Sequence, residues 1–285
     1  MNPGFVGFRR KLFSQIMIAA TFLCALAALV PLISIFVYLI SKGAGSLNLD
    51  FFTQLPKPVG EPGGGMANAI AGTLILVSLS CLWAVPLGVF AGVYLAEFGN
   101  DKASTVIRFT ADVLTGTPSI VIGIFAYTLF VLPLRSFSAI SGAFALGFML
   151  IPPIVRTTEE IVRRVPTTLR EAALALGISR FRTTLNIVMK TALPGILTGV
   201  LLAVARIAGE TAPLLFTAFG NRVWHHGLTE PIAALPLQIF VYAISPFEDW
   251  HRQAWAGALV LILMVFFSTL LSRLWTRPRY SLKAA

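Results

Sequence analysis

Residues 67–96 read ANAIAGTLILVSLSCLWAVPLGVFAGVYLA and contain no charged side chain. At about 1.5 Å per residue, a helix of this length crosses the roughly 30 Å hydrocarbon core of a bilayer. Further apolar runs of comparable length lie at residues 16–40, 109–132, 137–155, 194–220 and 254–274. Backbone groups in lipid must find partners within their own element, and the sequence lacks the short alternating segments of a β-barrel. It therefore predicts an all-α membrane protein with six transmembrane helices.

The positive charge of the chain is distributed as a topology signal. Lys and Arg number 22 against 12 Asp and Glu, which gives a formal net charge of +10, yet only 12% of residues are charged. A soluble domain carries about 25%. With a cytoplasmic N-terminus, most basic residues fall inside, and the outside segments hold Lys42, Lys57, Arg135, Arg222 and Arg252. This bias predicts that both termini are cytoplasmic, and it argues against nucleic acid as a partner.

The sequence of the inside loop, residues 156–192, predicts helical structure. Thr168 and Glu171 have the spacing of a capping box that would begin a short helix, and Gly177 supplies the left-handed residue that would end it. Helical spacing gives this helix one apolar face, formed by Leu169, Ala172, Ala173 and Leu176.

A second helix is predicted after Gly177. Its apolar face is formed by Phe181, Leu185, Val188 and Ala192. It would end before Pro194, which suits the first turn of the next spanning helix. The two helices could instead lie on the membrane surface, with basic residues against anionic lipid. The first helix is short and rich in alanine, so its small apolar face fits a protein groove better.

The same loop resembles the EAA motif of ABC transporter permeases of the importer class, in Glu171-Ala172-Ala173, Gly177 and Ile187. The resemblance extends to PstA-type permeases of phosphate importers over residues 114–123, 170–177, 192–199, 205–206 and 209–218. In that family the motif is a coupling helix seated in a cleft of the ATPase subunit. Met189-Lys190 stands here where the family has Leu-Pro, which should let the second helix run unbroken to Ala192.

The resemblance implies the type I ABC importer permease fold (MetI-like). A five-helix core at residues 67–275 would contain the coupling loop 156–193. One extra N-terminal helix would lie in residues 1–66, and residues 276–285 would form a cytoplasmic tail. The implied partners are ATP-hydrolysing ABC subunits, a second homologous permease subunit and an extracytoplasmic phosphate-binding protein, at a bacterial inner (plasma) membrane. The implied ATPase-docking residues are Glu171, Ala172, Ala173 and Gly177.

Two charged residues fall within a predicted span. Arg206 and Glu210 lie about 18 and 24 Å along a helix that starts at Pro194, and their i, i+4 spacing puts them on one face. An Arg at the bilayer centre costs at least about 2.5–3.5 kcal/mol and usually faces a bundle interior or an aqueous path. The residues alone leave open an oxyanion-binding guanidinium or a structural ion pair. The resemblance implies that both residues belong to the translocation path and that phosphate is carried.

Thr115-Gly116-Thr117-Pro118-Ser119 interrupts the third predicted span. A helix that restarts at Pro118 would direct free N–H groups, and the hydroxyls of Thr115, Thr117 and Ser119, toward an anion in the substrate path. A kink packed by glycines and hydroxyls is the alternative, and the residue types favour it. Asp112 would repel an anion, so a structural or gating role is predicted for it.

The sequence holds no catalytic constellation. It has no Walker glycine loop and no Ser/His/Asp or Cys/His arrangement, so the chain is predicted not to be an enzyme and to need no cofactor. ATP hydrolysis would reside in a partner subunit. His225, His226 and His251 lack the organised spacing of a zinc site, so no metal site is predicted.

Two other functions remain possible. The nearer is a permease for another oxyanion, such as molybdate, sulfate or phosphonate. The other is an ion-coupled secondary transporter that uses Arg206 and Glu210 as a relay. The EAA-like loop argues against the second alternative, because a carrier without an ATPase has no use for a docking helix.

Overall fold

A computed structural model describes residues 3–61, 63–99 and 101–275, and in these ranges the regular structure is helical. The helices are α1 (Pro3–Gly43), α2 (Leu49–Thr53), α3 (Ala67–Glu97), α4 (Lys102–Gly116), α5 (Ser119–Leu134), α6 (Ala139–Arg163), α7 (Thr167–Ala175), α8 (Arg180–Ile207), α9 (Ala212–Thr217), α10 (Leu235–Ala243) and α11 (Glu248–Trp275). Short π-helical turns lie within α5 and α8, at Tyr127–Val131 and Thr184–Val188. The predicted tail at 276–285 lies outside the described residues.

Five helices are long and apolar enough to cross a membrane: α1, α3, α6, α8 and α11. The pair α4 and α5 would make a sixth crossing if it is counted as one span, but its two helices meet at 108°. The predicted all-α membrane fold is therefore confirmed. The interruption predicted at Thr115–Ser119 is present: α4 ends at Gly116 and α5 starts anew at Ser119, so the span at 109–132 is broken there, and the kink that the residue types favoured is wrong.

The predicted span at 194–220 is wrong at both ends. α8 begins at Arg180 and ends at Ile207, so Pro194 lies inside a helix that neither stops before it nor starts at it. A proline removes one backbone hydrogen bond, which membrane helices tolerate. The outer end has a local cause. Pro213 lies in the first turn of α9. It has no N–H to bond the carbonyl of Gly209, and its ring would clash with that carbonyl in a continuous helix, which favours a break between α8 and α9.

Close approach between α3 and α6 forms the centre of the bundle. A Cβ built on Gly88 would lie 2.8 Å from Cγ2 of Ile154, and one built on Gly92 would lie 2.7 Å from the carbonyl oxygen of Val155. The hydroxyl of Ser80, which donates to the carbonyl of Leu76 at 2.6 Å, also lies 3.0 Å from the carbonyl of Ala143 across the same interface. Small residues and hydrogen bonds between helices are what holds helices together in lipid.

A neighbouring face of α6 receives α8. A Cβ on Gly195 would lie 2.9 Å from side-chain carbons of Ile161, and one on Gly199 would overlap Thr157. Gly195 and Gly199 therefore allow α8 to approach α6 closely. Helix α1, in contrast, contacts α11 near its own end, where Tyr38 and Trp255 meet edge to face at 5.0 Å. Residues 10–38 of α1 are exposed throughout.

Replacing Gly92 tests the dependence on close approach. We expect Gly92→Ala to lower the free energy of unfolding by about 1–3 kcal/mol, because the added methyl group meets backbone that cannot turn away. The measurement is the thermal unfolding of the purified protein in detergent. Gly45→Ala is the control, because a Cβ there meets no atom within 4 Å. Equal stability of the two variants would contradict the central role of this interface.

Candidate functional site

The segment between α6 and α8, residues 164–179, contains α7 and the EAA-like residues. Helix α7 begins at Thr167, directly after Pro166, and no side chain caps it. The predicted capping box of Thr168 and Glu171 is therefore wrong. Pro166 has the extended backbone of an N-cap residue, with φ −55° and ψ 138°, so Thr168 already lies inside the helix and cannot cap it.

The end of α7 is formed as predicted. Gly177 has φ +76°, the left-handed conformation that glycine adopts without a steric penalty. Its N–H donates to the carbonyl of Leu174 at 2.9 Å, and the N–H of Ile178 donates to the carbonyl of Ala173 at 3.1 Å. These two bonds form a Schellman motif. A Cβ at position 177 would meet no atom within 4 Å, so space does not call for a glycine there. The requirement comes from the left-handed backbone conformation alone.

Most of the EAA-like residues face outward. Glu171, Ala172 and Gly177 are exposed, whereas Ala173 is buried. The predicted apolar face of α7 is open as well, because Leu169 is 41% and Leu176 81% exposed. This end of the molecule therefore presents small and apolar side chains beside one acidic residue. On the following helix, Val188 and Ala192 are buried as expected from the pattern, but Phe181 and Leu185 are exposed.

Arg206 lies in the last turn of α8, and Glu210 lies just beyond the end of that helix. Nε of Arg206 and Oε1 of Glu210 are 3.8 Å apart, at the limit of an ion pair. The side chain of Arg206 is 59% exposed and that of Glu210 20%. Within the described residues the guanidinium makes no hydrogen bond, so its N–H groups are available to donate to an oxyanion.

At Thr115–Ser119 the helix is completely broken between α4 and α5. The hydroxyls of Thr115 and Thr117 donate to the carbonyls of Ala111 and Val113, each at 2.7 Å. Their protons are therefore engaged within α4. Ser119 is half-buried at the start of α5, where the first intrahelical bonds come from Val121 and Ile122 to the carbonyl of Pro118.

The breaks in the two spans lie in neighbouring elements. Helix α5 packs against α9, the helix that follows Glu210, and a Cβ on Gly123 would lie 2.8 Å from Cα of Pro213. The EAA-like residues lie elsewhere in the chain, before the start of α8. Arg180 and Arg206 are separated along that helix by about 39 Å, at 1.5 Å per residue.

A cluster of charges on α4 and α6 was missed by the sequence patterns. Oε1 of Glu159 accepts from Arg108 at 2.8 Å and lies 2.8 Å from Nη2 of Arg163, while Arg156 lies 3.6 Å from Oε2. Arg156 also pairs with Asp112. The spacing of positions 156, 159 and 163 on one helix was a readable signal. The participation of Arg108 and Asp112 could not be predicted in this way, because these residues lie on another helix.

Asp101 caps α4 in the short turn after α3. Its carboxylate accepts from the N–H of Ser104 at 2.9 Å and from the hydroxyl of Tyr94 at 2.8 Å, and both bonds lower the pKa of Asp101, with the Ser104 bond the larger cause. Because the folded-state pKa is lowered, the cap stabilises the fold above the ordinary pKa of an aspartate. That stabilisation is lost as the pH falls through the lowered pKa.

Comparison with known proteins identifies the family. The model of the binding-protein-dependent transport system inner membrane component matches residues 84–277. The phosphate transport system permease protein PstA of Xylella fastidiosa (strain 9a5c) is 48% identical over 267 residues, covering 93% of each chain. The protein of the same name from Haemophilus influenzae is 45% identical over 266 residues, covering 93% of this chain and 94% of its own.

Solved structures share the fold at low identity. A bacterial alginate ABC transporter, solved with an alginate pentasaccharide-bound periplasmic protein, superposes with a TM-score of 0.63 at 13% identity, covering 96% of this chain and 98% of its own. The inward-facing MetNI methionine ABC transporter gives 0.58 at 16% identity, covering 74% and 92%. The predicted importer permease fold is confirmed. The chain belongs to the family of binding-protein-dependent transport system inner membrane components and, within it, to the permease proteins of phosphate transport systems.

Proposed function

We propose that this chain forms the transmembrane path of an ATP-driven importer of inorganic phosphate. The observation that carries the proposal is the unbroken helix α8. It begins at Arg180, close to the exposed EAA-like residues, and it carries Arg206 in its last turn. One continuous helix therefore joins a surface suited to an ATPase with a cation suited to an oxyanion. The phosphate transport permeases that match over 93% of the chain support phosphate as the cargo.

Docking of an ATP-hydrolysing subunit is proposed at Glu171, Ala172, Ala173 and Gly177. The open apolar side chains beside Glu171 suit a groove in a partner protein. ATP binding would draw two ATPase subunits together. Helix α7 would then move with the ATPase subunit in whose cleft it is bound. Because α8 is continuous from Arg180 to Ile207, that movement would be carried along it to Arg206, about 39 Å away. The breaks at Thr117-Pro118 and after Ile207 would absorb the change of angle.

Arg206 is proposed to bind the crossing anion. A planar guanidinium can donate two parallel hydrogen bonds to one phosphate, and Glu210 at 3.8 Å would neutralise it between substrate visits. Thr115, Thr117 and Ser119 would line the same path. Of these three, Ser119 is the better donor, because the hydroxyl protons of both threonines are bonded to their own helix.

The exposure of Arg206 supports a second permease subunit. An arginine that faces hydrocarbon costs at least about 2.5–3.5 kcal/mol, so its face requires protein or water in the assembled transporter. We propose that a second homologous permease covers it, that both termini are cytoplasmic, and that an extracytoplasmic phosphate-binding protein delivers substrate from the other side. Residues 67–275 would then form the core, with residues 1–66 as an added leading unit.

Two substitutions test the docking site. We expect Glu171→Lys and Gly177→Asp to leave the protein in the membrane but to abolish co-purification of its ATPase. The first reverses the exposed charge, and the second puts a side chain where the backbone has φ +76°. Glu61→Lys makes the same charge change at an exposed residue outside the segment. Normal recovery of the ATPase with either docking variant would count strongly against this site.

Arg206→Gln tests the substrate path. We expect uptake of labelled phosphate to disappear while the complex still assembles, because glutamine keeps a polar side chain but not the charge. Arg206→Lys, which keeps the charge without the planar fork, should retain part of the uptake. Sulfate and molybdate are added as competitors to test the cargo. Full uptake by Arg206→Gln would exclude Arg206 from the path, and competition stronger than that of unlabelled phosphate would assign another oxyanion.

A further inference from the structure

Arg170 comes directly before Glu171, yet its side chain points into the protein. Nε and Nη2 of Arg170 donate to Oε1 of Glu97, the last residue of α3, at 3.0 and 2.6 Å. Nη2 also donates to the carbonyl of Val162 at 2.9 Å, and Nη1 donates to the carbonyl of Val165. One guanidinium of α7 therefore bonds the ends of α3 and α6 at the same time.

The acceptor is well enclosed. The side chain of Glu97 is only 6% exposed and that of Arg170 20%. An ion pair with this little contact with water is screened far less than a surface pair, and the Arg170 guanidinium is held in addition by two backbone carbonyls.

Glu97 also contacts the start of α8. Its carbonyl accepts from Nη2 of Arg180, and the guanidinium of Arg180 lies 5.0 Å from the ring centroid of Phe98. The end of α3 thus holds one residue of α7 and the first residue of α8. The two helices that flank Gly177 are fastened to the same point.

Apolar packing supplies little of this attachment. Ala173 is the one buried residue of α7, whereas Leu169, Leu174 and Leu176 are all substantially exposed. Because α7 lacks a large buried side chain, the bonds of Arg170 are its main connection to the membrane helices.

We infer that Arg170 and Glu97 form a positioning pair that makes α7 move as one body with α3 and α6. This inference rests on the proposed docking of an ATPase at Glu171 and Gly177. When the ATPase displaces α7, the buried pair transmits the displacement to α3, in parallel with the route through α8. Without the pair, α7 would follow the ATPase while the membrane helices lag behind. ATP would then be hydrolysed with little transport.

The test measures coupling in the complete transporter. Complexes with Glu97→Gln, Arg170→Gln or both are reconstituted in proteoliposomes with ATPase subunits, sister permease, binding protein and labelled phosphate. We expect each single variant to keep its ATPase but to import about tenfold fewer phosphate ions per ATP hydrolysed. The double variant should be no worse than either single variant, because the two residues act as a unit. Lys190→Gln removes an exposed cation from the neighbouring helix and should keep the normal ratio.

The outcomes separate this inference from the proposed function. An unchanged ratio in both single variants, a double variant with the product of the two losses, or loss of the ATPase from the single variants would overturn the positioning pair. Failure of the unsubstituted complex to bind ATPase would instead overturn the proposed docking. If Arg170→Gln does not insert, Arg170→Lys takes its place. It keeps the charge but not the fork, so a lowered ratio supports the pair and a normal ratio contradicts it.

Discussion

The bundle depends on how closely α3 and α8 can approach α6. Lipid is as apolar as a leucine side chain, so burial of apolar surface gives membrane helices little reason to associate. Van der Waals contact at short range must hold the helices together instead. Glycines on α3 and α8 allow such contact with Ile154, Val155 and Thr157 of α6. With α6 packed against both helices, α4 is fastened to it by the ion pair of Arg108 and Glu159. The remaining spans can then carry breaks without losing the fold.

The breaks are concentrated where the proposed path lies. Pro118 and Pro213 both stand at the start of a helix. The preceding helix ends two residues before Pro118, at Gly116, and six residues before Pro213, at Ile207. Pro86, Pro152, Pro153 and Pro194 lie within helices that continue through them. A proline alone therefore does not break a span here. At both broken positions a glycine, Gly116 or Gly209, precedes the proline, and glycine destabilises a helix further.

Hydropathy predicted the spanning helices well because it depends on the local composition of about 20 residues. It placed α3 almost to the residue, and Gly177 was correctly assigned because a left-handed helix end has a local signature. It failed where the outcome depends on distant partners. Glu97 and Arg170 lie 73 residues apart, and Arg108 and Glu159 lie 51 apart. Helical periodicity relates positions three or four apart and carries no information about such pairs.

The contrast between the charged pairs bears on the role of Arg206. Two ion pairs between helices of this protein are enclosed and well bonded: Glu97 and Glu159 each have side chains 6% exposed, with arginine nitrogens within 2.8 Å. Arg206 has one carboxylate at 3.8 Å, and more than half of its side chain is open. If Arg206 served only to fix helix register, we would expect its pair with Glu210 to be as enclosed and as short as the pairs of Glu97 and Glu159. A cation kept so loosely paired retains the capacity to exchange its partner for a passing anion, which is what a substrate path requires.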